Sequence, residues 1–317
     1  MEPVADWNAA GARYFSIGFF YRQRFGGPVR KISLDAGLSC PNRDGTLGAD
    51  GCIFCDPASF SPSRRLAGLS ISQQIAHGIE AASAGGRVNR FVAYFQPGTN
   101  TYAPADQLRA VYAEAVSHSQ IVGVAIGTRP DCLPPSVLDL LAELSEQTFL
   151  VLEIGLQSIH QRSLQWLGRG HDYDCFCRAV EEANQRGLNV GVHVILGLPE
   201  ESAEHVCATA RELTRLGVHS VKLHNLYAVR GTRLAEMLAA GQVSLPTMSE
   251  YVQLAADFLE WLSPRCVVER LSGDAPRQYL VAPDWCLDKS TVRLAIEAEL
   301  QRRNSRQGAK VTTSASL

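Results

Sequence analysis

"KISLDAGLSCPNRDGTLGADGCIFCDPASF", residues 31–60, runs from a short apolar segment straight into a loop that carries Cys40, Cys52 and Cys55 in a C-x11-C-x2-C pattern. The segment "KISLDA" (31–36) predicts a strand, and the cysteines follow where it ends. In parallel α/β folds ligands bind at the C-terminal ends of strands, so this loop lies where chemistry is expected. Its glycines and the "PNRDG" turn let backbone wrap closely around a bound group without helix or sheet.

Downstream of the loop, short β-rich runs alternate with amphipathic stretches. Strands are predicted at "RFVAYF" (90–95), "IVGVAI" (121–126), "FLVLEI" (149–154), "NVGVHVIL" (189–196) and "HSVKLHNL" (219–226). These runs are continuous rather than alternating, as parallel strands buried on both faces would be. Helices are predicted near 70–86, 104–118, 135–146, 159–187, 202–215 and 231–240, with Pro104, Pro134 and Pro135 at helix starts and Gly217 at a stop. Serial β–α units imply a parallel sheet with right-handed crossovers. The fold class expected is therefore α/β, either closing towards a barrel or staying open. "CVVERL" (266–271) reads as a further edge strand, and helices near 247–262 and 288–303 should cap the sheet. The organisation expected is a lead-in over 1–29, a core over 30–245, a helical C-terminal appendage over 246–303, and a disordered small polar tail over 304–317.

The composition sets limits on function. The chain has 317 residues, 46% hydrophobic and 20% charged, with net charge −2, which argues against a broad cationic surface for duplex DNA. Basic clusters such as Arg64–Arg65 and "QRRNSRQGAK" read first as solvated faces. No run of about 18 apolar residues predicts a membrane span, and the start lacks a basic region followed by an apolar one. A cytoplasmic location is expected, where cysteines stay reduced and more often bind metal or catalyse than form disulfides.

Taken alone, the three loop cysteines admit three readings. They could be buried small hydrophobes, although a Gly/Pro/Asn loop argues against burial. They could hold zinc with a fourth ligand such as Cys132, His193 or His224. Or their thiolates could hold an iron–sulfur cluster, leaving one iron open. Cys132, Cys175, Cys177, Cys207, Cys266 and Cys286 form no second C-x2-C pattern.

The order of blocks narrows the choice. The cysteine loop is followed by "YFQPGTNTY" (94–102), "IGTRPDCL" (126–133), "EIGLQS" (153–158), "GRGHDY" (168–173), "VILGLPEES" (194–202), "KLHNLYAVRGTRL" (222–234) and "ERLSGDAP" (269–276). In these blocks the chain resembles the radical S-adenosylmethionine (radical SAM) superfamily, and more narrowly a bacterial group in the branch of the Elongator catalytic subunit, where a long first gap between cysteines occurs. The resemblance implies a partial (β/α)6 TIM-like barrel. It also implies a 4Fe-4S cluster on Cys40, Cys52 and Cys55, with S-adenosylmethionine on the open iron. Reductive cleavage of the cofactor would give a 5′-deoxyadenosyl radical that abstracts hydrogen from substrate. A reducing partner such as flavodoxin or ferredoxin would supply the electron.

The same resemblance assigns roles to residues around the loop. Phe54, between the last two cysteines, would lie against the adenine and the cluster. The Gly-Gly-Glu run that many members use for the methionyl amine is replaced here by "FQPGTNTY", in which Gln96, Asn100 and Thr101 offer amide and hydroxyl groups. Glu153, with Gln157 close behind, would bond the ribose or the methionyl amine; the alternative is a structural ion pair with Arg129. Ile195 to Gly197 would meet adenine. Arg169 and His171 are polar loop residues that could face substrate. The insert after Cys40 could wall the substrate side with Arg43, or Arg43 and Asp44 could simply brace the loop. The branch points to RNA, including tRNA, as substrate. The alternatives are a small metabolite or protein substrate, a cluster used only for electron transfer, and a zinc-stabilised binding protein without activity.

Overall fold

The computed structural model describes residues 7–83 and 88–311. Six predicted strands form and pair in parallel: β1 (Arg30–Leu34), β2 (Phe91–Phe95), β3 (Ile121–Thr128), β4 (Phe149–Gln157), β5 (Asn189–Leu196) and β6 (Ser220–Asn225). After the two-residue β7 (Ala228–Val229), the edge segment forms β8 (Val267–Arg270), which joins the same sheet beside β6. The sheet therefore has seven parallel strands in the order β1-β2-β3-β4-β5-β6-β8, curled into a half-barrel. β9 (Leu280–Ala282) pairs antiparallel with β7.

Helices α3 (Ile71–Ser83), α4 (Ala105–Val116), α5 (Pro135–Gln147), α7 (Tyr173–Gln185), α8 (Ala203–Arg215), α10 (Met248–Trp261) and α11 (Lys289–Arg302) carry most of the outer layer. The shorter α1 (Ile17–Phe25), α2 (Pro57–Phe60), α6 (Gln161–Trp166) and α9 (Arg233–Ala239) lie in connections. Their limits follow local chemistry. Pro135 sits in the first turn of α5, and the Asp172 side chain accepts from Cys175 N at 2.7 Å to start α7. Thr247 and Glu250 form a capping box on α10.

The strands alternate in a way their apolar content hides. Ile32, Leu34, Leu150, Leu152, Ile154, Val190, Val192, Val194, Val221 and Leu223 point outward into one core with the helices. The intervening positions, among them Glu153, Gln157, His193, Lys222 and His224, face the barrel interior and line a cavity there. Outward Leu, Ile and Val each contribute about 1.5–3 kcal/mol on burial, and that face holds the barrel together. The strands are buried on both faces, as expected, but polar side chains stand among the inward positions and leave the inner face for chemistry.

α1 closes the N-terminal end of the barrel. Phe20 lies 5.6 Å from Phe149 and 5.3 Å from His219, at the starts of β4 and β6. Two further expectations change. The single helix read over 159–187 is two, α6 and α7, separated by a loop in which Gly168 and Gly170 have φ of 66° and 73°. The segment 246–303 is helical as expected, and the edge strand expected at 266–271 forms within it as β8. The tail read as disordered is tied down over 304–311. Gln307 is 1% exposed; its Oε1 accepts from Phe15 N at 2.8 Å and its Nε2 donates to Ser263 O at 2.6 Å and Cys266 O at 2.8 Å. Residues 312–317 and the end of the expected 70–86 helix lie outside the described residues. Among the described residues, no helix is long and apolar enough to cross a membrane.

Candidate active site

At the C-terminal ends of the strands lies a cavity of about 280 Å³. Cys40, Cys52 and Cys55 all line it, with Phe54 between the last two. Their loop is built by its own backbone. Cys55 N donates to Cys52 O at 2.9 Å, which makes the C-x2-C a tight turn. The insert between Cys40 and Cys52 folds back on itself through Leu47 N to Pro41 O at 2.8 Å and Gly51 N to Asn42 O at 2.8 Å. Thr46 and Tyr102 hydroxyls meet at 3.0 Å and fasten its tip to the loop after β2. The Arg43 guanidinium packs on Gly51 and donates to the Cys55 carbonyl, so it braces the cysteine loop. Asp44 accepts from Thr46 N at 3.0 Å.

The sulfur of Cys52 is surrounded by donors. Asn42 Nδ2 is 3.4 Å from it and also reaches Gly168 O at 2.8 Å and Arg169 O at 3.2 Å. Arg169 Nη1 lies 3.2 Å from the same sulfur while its Nη2 donates to Gly155 O at 2.7 Å. Arg169 thus faces the cysteine loop. Burial, with Cys52 beside it, pushes the Cys55 thiol up to about 12. Arg129, 3% exposed, bonds bidentately to Asp131 at 2.9 and 2.7 Å and leaves its buried Nη1 without a partner.

The loop after β2 comes close to the first cysteine. Gly98 has φ of 77°, and a Cβ there would stand 2.5 Å from Leu38 O, so only glycine permits the approach. Gln96 and Thr99 line the cavity; Asn100 and Thr101 do not, which corrects their expected role. Asn100 Nδ2 is spent on Phe95 O, Pro97 O and Gly127 O, and the Thr101 hydroxyl on Thr128 and Cys132 O. Both are buried and brace the loop from behind. Gln96 is itself anchored, accepting from Ser33 Oγ at 3.1 Å and donating to Phe60 O at 3.1 Å.

Glu153 is at the cavity floor and 1% exposed. Its partners are not Arg129 but Lys31, at 2.7 Å, and His193, at 2.9 Å, together with Lys222. Burial alone would raise its pKa, but Lys222 and Lys31, with the His193 hydrogen bond, outweigh it and hold the carboxyl well below the usual carboxylate range. Burial brings Lys222 down to about 8, against the pull of Glu153. Gln157, at the end of β4, adopts φ of 77° and turns into the cavity, and Ile195 lines it from β5. On the far wall His193 and His224 stack at 5.4 Å, and Arg270 sits against His224. Burial, with Arg270 beside His224, keeps both rings below the usual histidine range. Among the described residues Arg270 forms no ion pair, and its Nε is buried without a partner.

The sequence offers His193 and His224 as zinc ligands and does not single out Lys222 or Arg270. The signal that groups them is their period of two, in register across β5, β6 and β8: His193 pairs with Lys222 and Lys222 with Arg270.

The donor set fits a cluster held by three thiolates. Three cysteines line one cavity, and N–H donors already address the sulfur of one. Among the described residues, no group of three or more His, Cys, Asp or Glu side chains is arranged to hold a single metal ion. All nine cysteines are free thiols.

Comparison with known proteins follows the same lines. Residues 40–213 match the family model of the Radical SAM superfamily, and residues 218–302 that of the Radical_SAM C-terminal domain. A Bacillus subtilis protein, YtqA, is 37% identical over 299 residues, covering 93% of this chain and 92% of its own length. Human Elongator complex protein 3 is 28% identical over 172 residues, which is 51% of this chain and 31% of that protein. The solved structure of an archaeal Elp3 from Methanocaldococcus infernus, lacking residues 1–46, superposes with a TM-score of 0.68 over 88% of this chain and 64% of that chain; at 16% identity the likeness is one of fold.

Proposed function

The chain belongs to the radical SAM superfamily, and from that premise we propose that it is an enzyme of the Elongator-like branch acting on RNA. Its cofactors are those of the family, a 4Fe-4S cluster and S-adenosylmethionine. The observation that carries the reading is the set of three cysteines on one cavity wall, with Arg169 and Asn42 donating to Cys52.

Cys40, Cys52 and Cys55 would hold the cluster, and Phe54, Gln96, Gln157 and Ile195 surround the space beside it for the second cofactor. Bound there, the two supply one-electron cleavage of a carbon–sulfur bond and hydrogen abstraction from substrate. The protein's own part is placement and exclusion of water. The insert, tied to Tyr102 and to the Gly168–Arg169 backbone, closes one side of the cavity. The ion network of Lys31, Glu153, Lys222 and Glu269 closes the floor. On the far wall, unpaired Arg270 is suited to an anionic group of the substrate. That suits an RNA phosphate and equally a second reading, a small anionic metabolite.

The electron would come from a one-electron donor such as flavodoxin or ferredoxin. Nine free thiols support a reducing compartment, the cytosol. Modified nucleosides and small metabolites compared between cells with and without the gene test the substrate. Loss of a modified nucleoside is the expected result. Unchanged nucleosides with an accumulating anionic metabolite would replace RNA by the second reading.

A further inference from the structure

The closed end of the barrel carries a face built from two stretches without acids. Residues 7–34 hold Arg13, Arg22, Arg24, Arg30 and Lys31 and no Asp or Glu, and residues 81–105 hold no Asp or Glu either. The fold brings the two together. Arg22 and Arg24 stand exposed in the last turn of α1. Arg30 opens β1, exposed, and its N–H donates to Arg90 O at 3.3 Å, just before β2. Arg90 Nη1 reaches back to the turn after α1, 3.2 Å from where a Cβ on Gly27 would stand. Arg13 and Lys31 are turned elsewhere, onto Ser305 O and onto Glu153 and Glu269 inside the barrel.

Arg22, Arg24, Arg30 and Arg90 form no ion pair among the described residues. Arginines on other faces do: Arg109 with Glu143, Arg186 with Asp139, Arg215 with Glu212 and Arg293 with Glu297. The acids that flank the two stretches do not neutralise the four. Asp35, past the far end of β1, is bonded to Arg64; Asp106 is in the first turn of α4; Glu80, in α3, pairs with none of them. Fixed cations gathered on one face without carboxylates, in a chain of net charge −2, are the footprint of a polyanion.

We propose that this face docks the phosphate backbone of the substrate RNA, outside the cavity. The proposal rests on the RNA reading made above. The face lies at the N-terminal ends of β1 and β2, and the cavity at the C-terminal ends, about 15 Å away along a five-residue strand. A small anion bound in the cavity cannot reach it. An electron donor has to lie against the cysteine loop, at the opposite end. A folded RNA is long enough to touch both ends at once. Guanidinium contacts to phosphate fix the position of such a chain without reading its sequence.

The test measures binding of labelled unfractionated tRNA to the reconstituted holoprotein by fluorescence anisotropy at several salt concentrations. Wild type is compared with Arg22→Gln/Arg24→Gln/Arg30→Gln/Arg90→Gln. A control, Arg109→Gln/Arg186→Gln/Arg215→Gln/Arg293→Gln, makes the same charge change on other faces. The first variant is expected to bind at least about tenfold more weakly, with the slope of log affinity against log salt reduced by roughly 3. The control should bind as wild type does, and all three should form 5′-deoxyadenosine equally under reductant. Arg30 Nη1 also donates to Ala82 O at 3.3 Å, at the end of α3. Should the fourfold variant fail to fold, Arg22→Gln/Arg24→Gln decides, with about half the change in slope. A folded variant with wild-type affinity and slope overturns the proposal. So does a control that weakens equally, which would make the effect one of net charge, or a variant that keeps tRNA and loses flavodoxin, which would give the face to the reductant. A wild type that binds no tRNA would instead refute the RNA reading, a separate failure.

Discussion

Lys31 Nζ lies 2.7 Å from Glu153 Oε1 and joins the first strand of the half-barrel to the fourth across its interior. Neither strand touches the other in the sheet, where β2 and β3 intervene. Glu269 accepts from the same amine, and Lys222 and His193 approach Glu153 from the other side. The open barrel is thus drawn together by charge at its floor, where a closed barrel would use hydrogen-bonded strands.

Glu153→Gln tests that role. It leaves Lys31 and Lys222 buried with one carboxylate fewer, and removing one partner of a buried ionic group costs about 3–5 kcal/mol. Denaturant unfolding of the variant is expected to show a loss of that order. A midpoint equal to the wild type would show that the network adds nothing to stability.

Gln307 gives a second stability test, far from the cavity. Its amide satisfies three backbone groups, at Phe15, Ser263 and Cys266, that the truncated side chain would leave unmet. Gln307→Ala is expected to cost about 3 kcal/mol, the price of buried groups left without partners. An effect below about 0.5 kcal/mol would mean that water replaces the amide.

The sequence explains why this tail was misread. "NSRQGAK" has the small polar composition of disorder, and nothing local marks Gln307 as a buried plug between the chain's two ends. The strands were legible because most outward positions are Leu, Ile, Val or Phe; the polar inner face was partly hidden by Gly155, Gly191 and Ile195 lying among its polar members. The split of α6 from α7 was visible in principle as Gly168-Arg169-Gly170, but amphipathic periodicity on both sides outweighed it. Cys40, Cys52 and Cys55 were legible because their spacing is local. Asn100 and Thr101 were not distinguishable from Thr99 without knowing which way the loop turns.

Acid should loosen the closed end of the barrel. Burial brings His219, packed against Phe20 and Phe149, down to about 4 from 6.5 in the unfolded chain. Between those values the unfolded chain binds the extra proton. Stability is therefore full above pH 6.5 and falls as the pH drops towards 4, by about 3 kcal/mol from this group. His219→Phe keeps the aromatic packing and should flatten the slope over that window. A slope identical to the wild type would place the acid sensitivity elsewhere.

Arg43→Ala separates a brace from a substrate contact. With the guanidinium on the Cys55 carbonyl, its loss should free the third cysteine and speed iron loss to a chelator about tenfold, the size of one charged hydrogen bond. Normal iron retention with turnover lost on the true substrate would return Arg43 to the substrate wall.

The central claim is that Cys40, Cys52 and Cys55 together hold one cluster at which S-adenosylmethionine is cleaved. The direct measurement is iron and sulfide per chain, with 5′-deoxyadenosine formed under reductant, for anaerobically reconstituted wild type, the Cys40→Ala/Cys52→Ala/Cys55→Ala variant and the control Cys207→Ala. The wild type and the control are expected to carry about four irons and four sulfides and to form 5′-deoxyadenosine, and the triple variant to lose both. A triple variant that keeps about four irons per chain, or a fully loaded wild type that leaves S-adenosylmethionine intact under reductant, would contradict the account.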